Sequence, residues 1–274
     1  MSASALLPEY VPSTPRLAYI QAGAGDAVVF LHGIGGNRSN WLRQLDALSS
    51  RYRAIAWDAR GYGDSDDYDG DLDFAAFRAD LLRLLDHLEL DQAHICGLSM
   101  GGRIALDFYD HFPQRVASLI LADTFPGFDD AFTTEARERF INERRQPLLD
   151  GKTVADIAKV LAPALVAKSA SPEIIEELEL SISSLHKQSY IKTVEAMTRY
   201  VPVTDLASVT VPTQIIVGAE DKLTPPSMSV AMQEQCKPAR LEVIADAGHL
   251  SNIEQAQAFN SCLLDFLTAH QATP

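Results

Sequence analysis

The sequence predicts an α/β fold: a mostly parallel central sheet flanked by helices, with a block of further helices inserted past its middle. Two observations predict the sheet. Short apolar runs alternate with longer segments of helical periodicity, the pattern of β-α-β units, and the runs give way to Gly, Asp or Ser, residues that turn a chain sharply. A third observation predicts the insertion. From about Phe125 to Val201 the alternation stops, and helical pattern follows helical pattern.

Strands are expected at Ala27–Leu31, Arg53–Trp57, Ala93–Leu98, Val116–Leu121, Thr213–Val217 and Leu241–Ile244. Helical patterns lie between them. Asn40–Ser49 sets Trp41, Leu45 and Leu48 at helical spacing, and Phe74–Leu88 does the same with Phe77, Leu81, Leu84, Leu85 and Leu88. Met100–Phe112 is stopped by Pro113, whose ring disfavours helical backbone in the residue before it. Ala256–Leu267 supplies the last helix. Inside the insertion, Thr153 and Asp156 have the spacing of a capping box, and Ser171-Pro172 reads as an N-cap followed by proline at the first helical position. The expected division is a core of residues 1–124 and 206–274 and a helical cap of residues 125–205.

A chain of 274 residues can bury one large core, and 47% hydrophobic with 22% charged residues is a globular composition. The formal net charge of -14 opposes nucleic acid and anionic membrane as partners. A small-molecule substrate is expected instead, and an anionic one would need a local cation against that background. Self-association into a homo-oligomer is left open. The cysteines, Cys96, Cys236 and Cys262, are odd in number and lack C-x-x-C spacing, which opposes a disulfide framework or a zinc cluster and fits a reducing compartment. Met1 to Pro15 has neither the basic start nor the apolar core of a signal peptide, and no stretch reaches membrane-spanning length. A cytoplasmic location is expected.

Gly97-Leu98-Ser99-Met100-Gly101 is the central motif. It lies between an expected strand and an expected helix, the setting in which G-x-S-x-G lifts a serine hydroxyl above a sheet edge. His32-Gly33-Ile34-Gly35-Gly36 follows the first of the expected strands. Acyl transfer needs N–H donors aimed at a developing oxyanion; the backbone of Ile34 and of Met100, the residue after the serine, is expected to supply them. His32 is expected to orient this loop by hydrogen bonding. Gly218-Ala219-Glu220-Asp221 and Ala247-Gly248-His249-Leu250 follow the last two strands. Ser99, Asp221 and His249 thus stand in the chain order of a nucleophile, an orienting acid and a general base. Asp123, just past the fourth strand, and Glu220 are rival positions for the acid.

With these motifs the chain resembles the α/β-hydrolase superfamily over nearly its whole length. Asp58-Ala59-Arg60-Gly61-Tyr62-Gly63-Asp64-Ser65 is similar to a D-x-R-G-x-G-x-S loop of that superfamily, which implies a structural role. Serine at position 99 stands where epoxide hydrolases and haloalkane dehalogenases of the fold carry aspartate, so neither chemistry is expected. The elbow Cys96–Gly102 and the tail Gly248–Glu254 resemble 3-oxoadipate enol-lactonases. The resemblance implies hydrolysis of a small carboxylic ester or lactone through an acyl-enzyme. A carbon–carbon bond hydrolase acting on aromatic ring-cleavage products uses the same triad and is the alternative; a small-molecule receptor of the same fold is another. Side chains expected to touch substrate are His32, Arg38, Trp41, Phe125, Leu223 and Leu250. Arg38, Arg103, Arg137 and Lys187 are the candidate partners for a substrate carboxylate, and Phe128 and Met197 are candidate cap residues that set substrate preference.

Other signals are declined. The acidic run Asp66 to Asp73 cannot be an EF-hand loop, because Ala76 falls where a bidentate glutamate belongs; it reads as a solvated loop. Gly61 to Asp66 lacks the third glycine of a dinucleotide fingerprint. His87, His94, His111, His186 and His270 have no metal-ligand spacing. No metal and no cofactor is expected.

Overall fold

In the computed structural model, which describes residues 6–127, 133–201 and 205–270, eight strands form one sheet. They are β1 (Glu9–Val11), β2 (Leu17–Ala22), β3 (Ala27–Leu31), β4 (Arg53–Trp57), β5 (Ala93–Leu98), β6 (Val116–Ala122), β7 (Thr213–Gly218) and β8 (Ala239–Ile244). The order across the sheet is β1-β2-β4-β3-β5-β6-β7-β8; β2 runs antiparallel to both of its neighbours, β1 and β4, and the other pairings are parallel. All six expected strands are present. β1 and β2 went unread: β1 has three residues, and Pro8, Pro12 and Pro15 give the segment the look of a loop.

The helices are α1 (Leu42–Leu48), α2 (Ala75–His87), α3 (Met100–His111), α4 (Thr134–Leu149), α5 (Val154–Leu165), α6 (Pro172–Ser183), α7 (Lys187–Arg199), α8 (Pro226–Gln235), α9 (Ser251–Glu254) and α10 (Ala256–Ala269). The helix expected over 40–49 begins as a 3-10 turn, Arg38–Trp41, because Asn37 caps it in a box with Asn40. Alternation along the strands separates two cores. Val28, Phe30, Ala54 and Ala56 pack against α1 and α10 on one face, with the Phe30 ring 4.9 Å from that of Trp41. Val29, Leu31, Ile55 and Ile95 pack against α2 and α3 on the other.

β3 fixes where a ligand can go. Its neighbours are β4 on one side and β5 on the other, so the winding reverses there and leaves a crevice at the carboxyl ends of the strands. The loops carrying residues 32–36 and Ser99 open onto it.

Helices α4 to α7 occupy the chain between β6 and β7, and among the described residues of that segment there is no strand. Thr153 and Asp156 form the capping box. Ser171 stands at the N-cap of α6 with Pro172 first in the helix, though its side chain makes no capping bond. These helices are tied to the sheet domain at several points: Arg43 to Glu177 through two nitrogens at 2.7 and 2.6 Å, His186 Nδ1 to Asp67 at 2.9 Å, and the Tyr200 hydroxyl to Asp107 at 2.7 Å. The acidic run is solvated as expected, its five aspartates all being exposed, although Asp67 also accepts from Ser189 at 2.7 Å. Phe128 lies outside the described residues. Among those described, no helix is long and apolar enough to cross a membrane.

Candidate active site

Ser99 sits at φ 54° and ψ -114°, a backbone conformation uncommon for a residue with a side chain. Its surroundings hold it there. Its N–H donates to Ala122 O at 2.9 Å, and its carbonyl accepts from Thr124 Oγ1 at 2.6 Å. The turn needs glycine on both sides: a Cβ at Gly97 would lie 2.2 Å from Gly101 O, and one at Gly101 would lie 2.1 Å from Leu31 O. α3 thus crosses the end of β3 in backbone contact, and its free N-terminal N–H groups look toward the crevice.

The glycine loop after β3 is held by His32. Nδ1–H of the ring donates to Gly33 O at 2.8 Å, and Nε2 accepts from the Ala59 N–H at 3.0 Å. That pattern needs the neutral ring. Burial pushes the pKa of His32 down, against smaller upward pulls from Gly33 O and Asp58, and so favours the neutral form. Neither the Ile34 N–H nor the Met100 N–H has a hydrogen-bond partner among the described residues.

Asp221 Oδ2 accepts from His249 Nδ1 at 2.8 Å and from Thr224 Oγ1 at 2.7 Å, while Oδ1 accepts from the N–H groups of Leu223 and Thr224 at 2.8 and 3.0 Å. Burial alone would raise the Asp221 pKa. The His249 bond and charge, with the Thr224 bonds, outweigh it and hold the carboxyl below its ordinary value. Burial would likewise lower the His249 pKa, but the bond to Asp221 and its charge win and raise it. Asp123 makes no bond to His249. It accepts instead from Gly218 N at 2.8 Å, Ser251 N at 3.1 Å and Ser251 Oγ at 2.5 Å, and burial pushes its pKa up to about 7. Glu220 turns away, accepting at 3.3 Å from the Lys168 N–H.

Two pockets meet at Ser99. One, with an empty volume of about 530 Å³, includes His32, Trp41, Leu178, Ile182, His249 and Leu250 in its wall. The second, about 730 Å³, includes Phe125, Phe140, Arg144, Met197 and Met228. Ser99, Ile34 and Leu223 belong to both. The Ser99 hydroxyl and the His249 ring are not yet hydrogen-bonded; such pairs often tighten only when substrate arrives.

The structure brings His32, Trp41, Phe125, Leu223 and Leu250 to these pockets, as it does Met197. It does not bring Arg38 there. The Arg38 guanidinium is bonded to Asp58 and Asp64, and its own N–H donates to Asp58 at 2.7 Å, so the expected substrate contact gives way to a structural one. Arg103 is buried behind the elbow, donating to the carbonyls of Met197 and Tyr200 at 2.8 and 3.3 Å. Arg137 donates to Thr198 O at 2.7 Å, and neither it nor Lys187 lines either pocket. Three residues escaped the sequence reading. Thr224 follows Asp221 by three, an offset at which a side chain can bond back to the acid. Glu254 accepts the N–H groups of Gly248 and Ala167 at 2.9 and 2.7 Å, anchoring the histidine loop. Arg144 stands four residues after Phe140 in α4, and that spacing was its one signal.

A model of the alpha/beta hydrolase fold matches residues 26–256. The chain is 31% identical to 3-oxoadipate enol-lactonase 2 of Acinetobacter baylyi over 246 residues, 89% of this chain and 90% of that protein. It is 29% identical over 271 residues to a 2-hydroxy-6-oxononadienedioate/2-hydroxy-6-oxononatrienedioate hydrolase of Escherichia coli, covering 94% and 93% of the two chains. A thermophilic esterase from Thermogutta terrifontis, solved with malate bound, superposes with a TM-score of 0.86 at 30% identity, covering 97% of this chain and 99% of its own.

Proposed function

Because this chain belongs to the alpha/beta hydrolase fold family, we propose that it hydrolyses a small carboxylic ester or lactone through an acyl-enzyme on Ser99. The observation that carries this reading is the pocket that Ser99 shares with His249, whose far nitrogen is bonded to Asp221 at 2.8 Å. The enol-lactonase and esterase relatives support the choice of ester or lactone.

The steps follow from the geometry. Ser99 Oγ attacks the carbonyl carbon while His249 Nε2 takes its proton. Asp221 holds Nδ1–H, which fixes the tautomer that leaves Nε2 free and stabilises the imidazolium. Negative charge gathers on the carbonyl oxygen, and the N–H groups of Ile34 and Met100 receive it. His249 then returns the proton to the departing oxygen, and the C–O bond breaks. Water repeats the sequence on the acyl-enzyme and frees Ser99. Helices α4 to α7 form a cap whose residues line both pockets and exclude bulk water.

Ser99→Ala tests the reading. Turnover of nitrophenyl esters should fall by about four orders of magnitude or more, with the fold unchanged by circular dichroism. The unaltered protein should release one equivalent of nitrophenol in a burst before the steady state. Wild-type rates in Ser99→Ala would refute the assignment. The E. coli relative favours a second reading, hydrolysis of a 2-hydroxy-6-oxo dienedioate. A panel of lactones, esters and ring-fission products, with Ser99→Ala as blank, separates the two by kcat/KM.

A further inference from the structure

The two pockets at Ser99 differ in one respect that bears on the substrate. Among the described residues that line them, Arg144 is the one Lys or Arg. It belongs to the second pocket; the residues that α5 and α6 give the first, Leu165, Leu178 and Ile182, are all apolar.

Arg144 is also bonded unlike its neighbours. Arg145 is paired with Glu195 at 2.5 Å, and Arg199 with Glu138 at 3.2 Å. No carboxylate among the described residues pairs with Arg144. Among the described residues its one hydrogen bond runs from Nη1 to Phe140 O at 3.1 Å, and its guanidinium lies 3.3 Å from the centre of the Phe140 ring. Stacking on a ring covers the flat face of a guanidinium and leaves its edge N–H groups available in the plane. Burial lowers its pKa without neutralising it. The result is a half-buried cation, fixed in orientation, with donors unspent, in a pocket that shares Ser99.

We propose that Arg144 is the anion-binding residue of this site, and that it receives a carboxylate carried by the ester or lactone. The proposal rests on the reading of Ser99 as nucleophile. A planar carboxylate fits because two of its oxygens can meet two edge N–H groups of one guanidinium. The overall charge of -14 repels such a substrate at long range. A fixed cation inside the pocket therefore supplies the selectivity that the surface field withholds.

The test compares matched substrates. Nitrophenyl hemiglutarate carries a carboxylate on its acyl side, an acetyl ester of hydroxybenzoic acid carries one on its leaving side, and nitrophenyl hexanoate and phenyl acetate are the neutral counterparts. Arg144→Gln should raise KM about 10- to 100-fold for at least one anionic ester. Its neutral counterpart should change less than about twofold, the margin of an uncoupled contact. Arg144→Lys should fall between, keeping charge but losing the fork. Arg145→Gln should leave the anionic-to-neutral ratio as in the unaltered protein. A second measurement does not depend on turnover: calorimetric binding of glutarate to Ser99→Ala should be detectable and should vanish in Ser99→Ala/Arg144→Gln. Equal responses of anionic and neutral esters, or glutarate binding that survives loss of Arg144, would overturn the proposal. Wild-type turnover in Ser99→Ala would instead overturn the nucleophile, and glutarate binding to the unaltered protein and to Arg144→Gln would still decide the anion site.

Discussion

At Ser99, Asp221 and His249 each residue depends on a neighbour for the state it needs. As the proposed base His249 must be neutral to accept a proton, yet Asp221 holds its pKa above the ordinary 6.5. The sign follows directly: kcat/KM should fall as pH drops through an apparent pKa above 6.5, because protonated His249 cannot act as a base. Asp221→Asn removes the charge that raises that pKa, so the acid limb of the profile should move down, and kcat should drop by about 10⁴ as asparagine favours the wrong tautomer. Asp123→Asn should behave differently. Asp123 touches Ser251 and Gly218 rather than the ring, so its loss should cost about 1–3 kcal/mol of stability by denaturant titration and leave most of kcat. If Asp123→Asn is the inactive variant and Asp221→Asn the unstable one, the two carboxylates have been assigned the wrong way round.

At the scale of elements, contacts fall into those that fix geometry and those that merely join surfaces. Gly101→Ala would drive a methyl group to 2.1 Å from the Leu31 carbonyl, pushing α3 off β3. It should destabilise the protein by more than about 4 kcal/mol, in the range where single substitutions are exceptional, or prevent folding. Glu254→Ala strands N–H groups of Gly248 and Ala167, so the melting temperature and the activity should fall together, read by thermal melts and ester assay. Arg43→Gln is the contrast. Its pair with Glu177 is partly exposed at both ends, 38% and 34%, and should contribute no more than about 1 kcal/mol.

The whole molecule carries a net charge of -14, and that shapes access to the crevice. If an anionic ester is the substrate, its kcat/KM should rise between about 10 mM and 0.15 M salt, as screening shortens the repulsion from about 30 Å to about 8 Å. A neutral ester should show a flat profile; a falling profile for the anion would mean that attraction inside the pocket outweighs the surface field. The same scale shows how much was legible beforehand. Strands β3 to β7 are mostly apolar because both faces of a parallel sheet are buried, and such runs stand out in a sequence. The loops of Ser99 and Asp221 follow β5 and β7 and that of His249 follows β8, which is why the three candidates could be read in order. β1 was too short to show a period, and α8 has apolar residues without a face, Val230 being 42% exposed and Met232 buried. Arg144 was hidden for another reason. A cation that lines a pocket and a cation that meets solvent look alike in sequence, and only packing distinguishes Arg144 from Arg145.

The contact between the histidine loop and the stretch after α5 has a consequence for recombining such proteins. His249 N–H donates to Leu165 O at 2.7 Å, and a Cβ on Gly248 would lie 2.6 Å from the Val166 carbonyl carbon. The loop that carries His249 is therefore part of the same backbone seam as the inserted helices. A chimaera that grafts another protein's helices between β6 and β7 would replace half of that seam. Grafts that stop at the ends of α5 and α6 and keep residues 165–167 native should retain activity; whole-insert exchanges should fold with His249 displaced. The inserted helices of this protein are thus not an interchangeable cassette, because they help to seat the His249 loop.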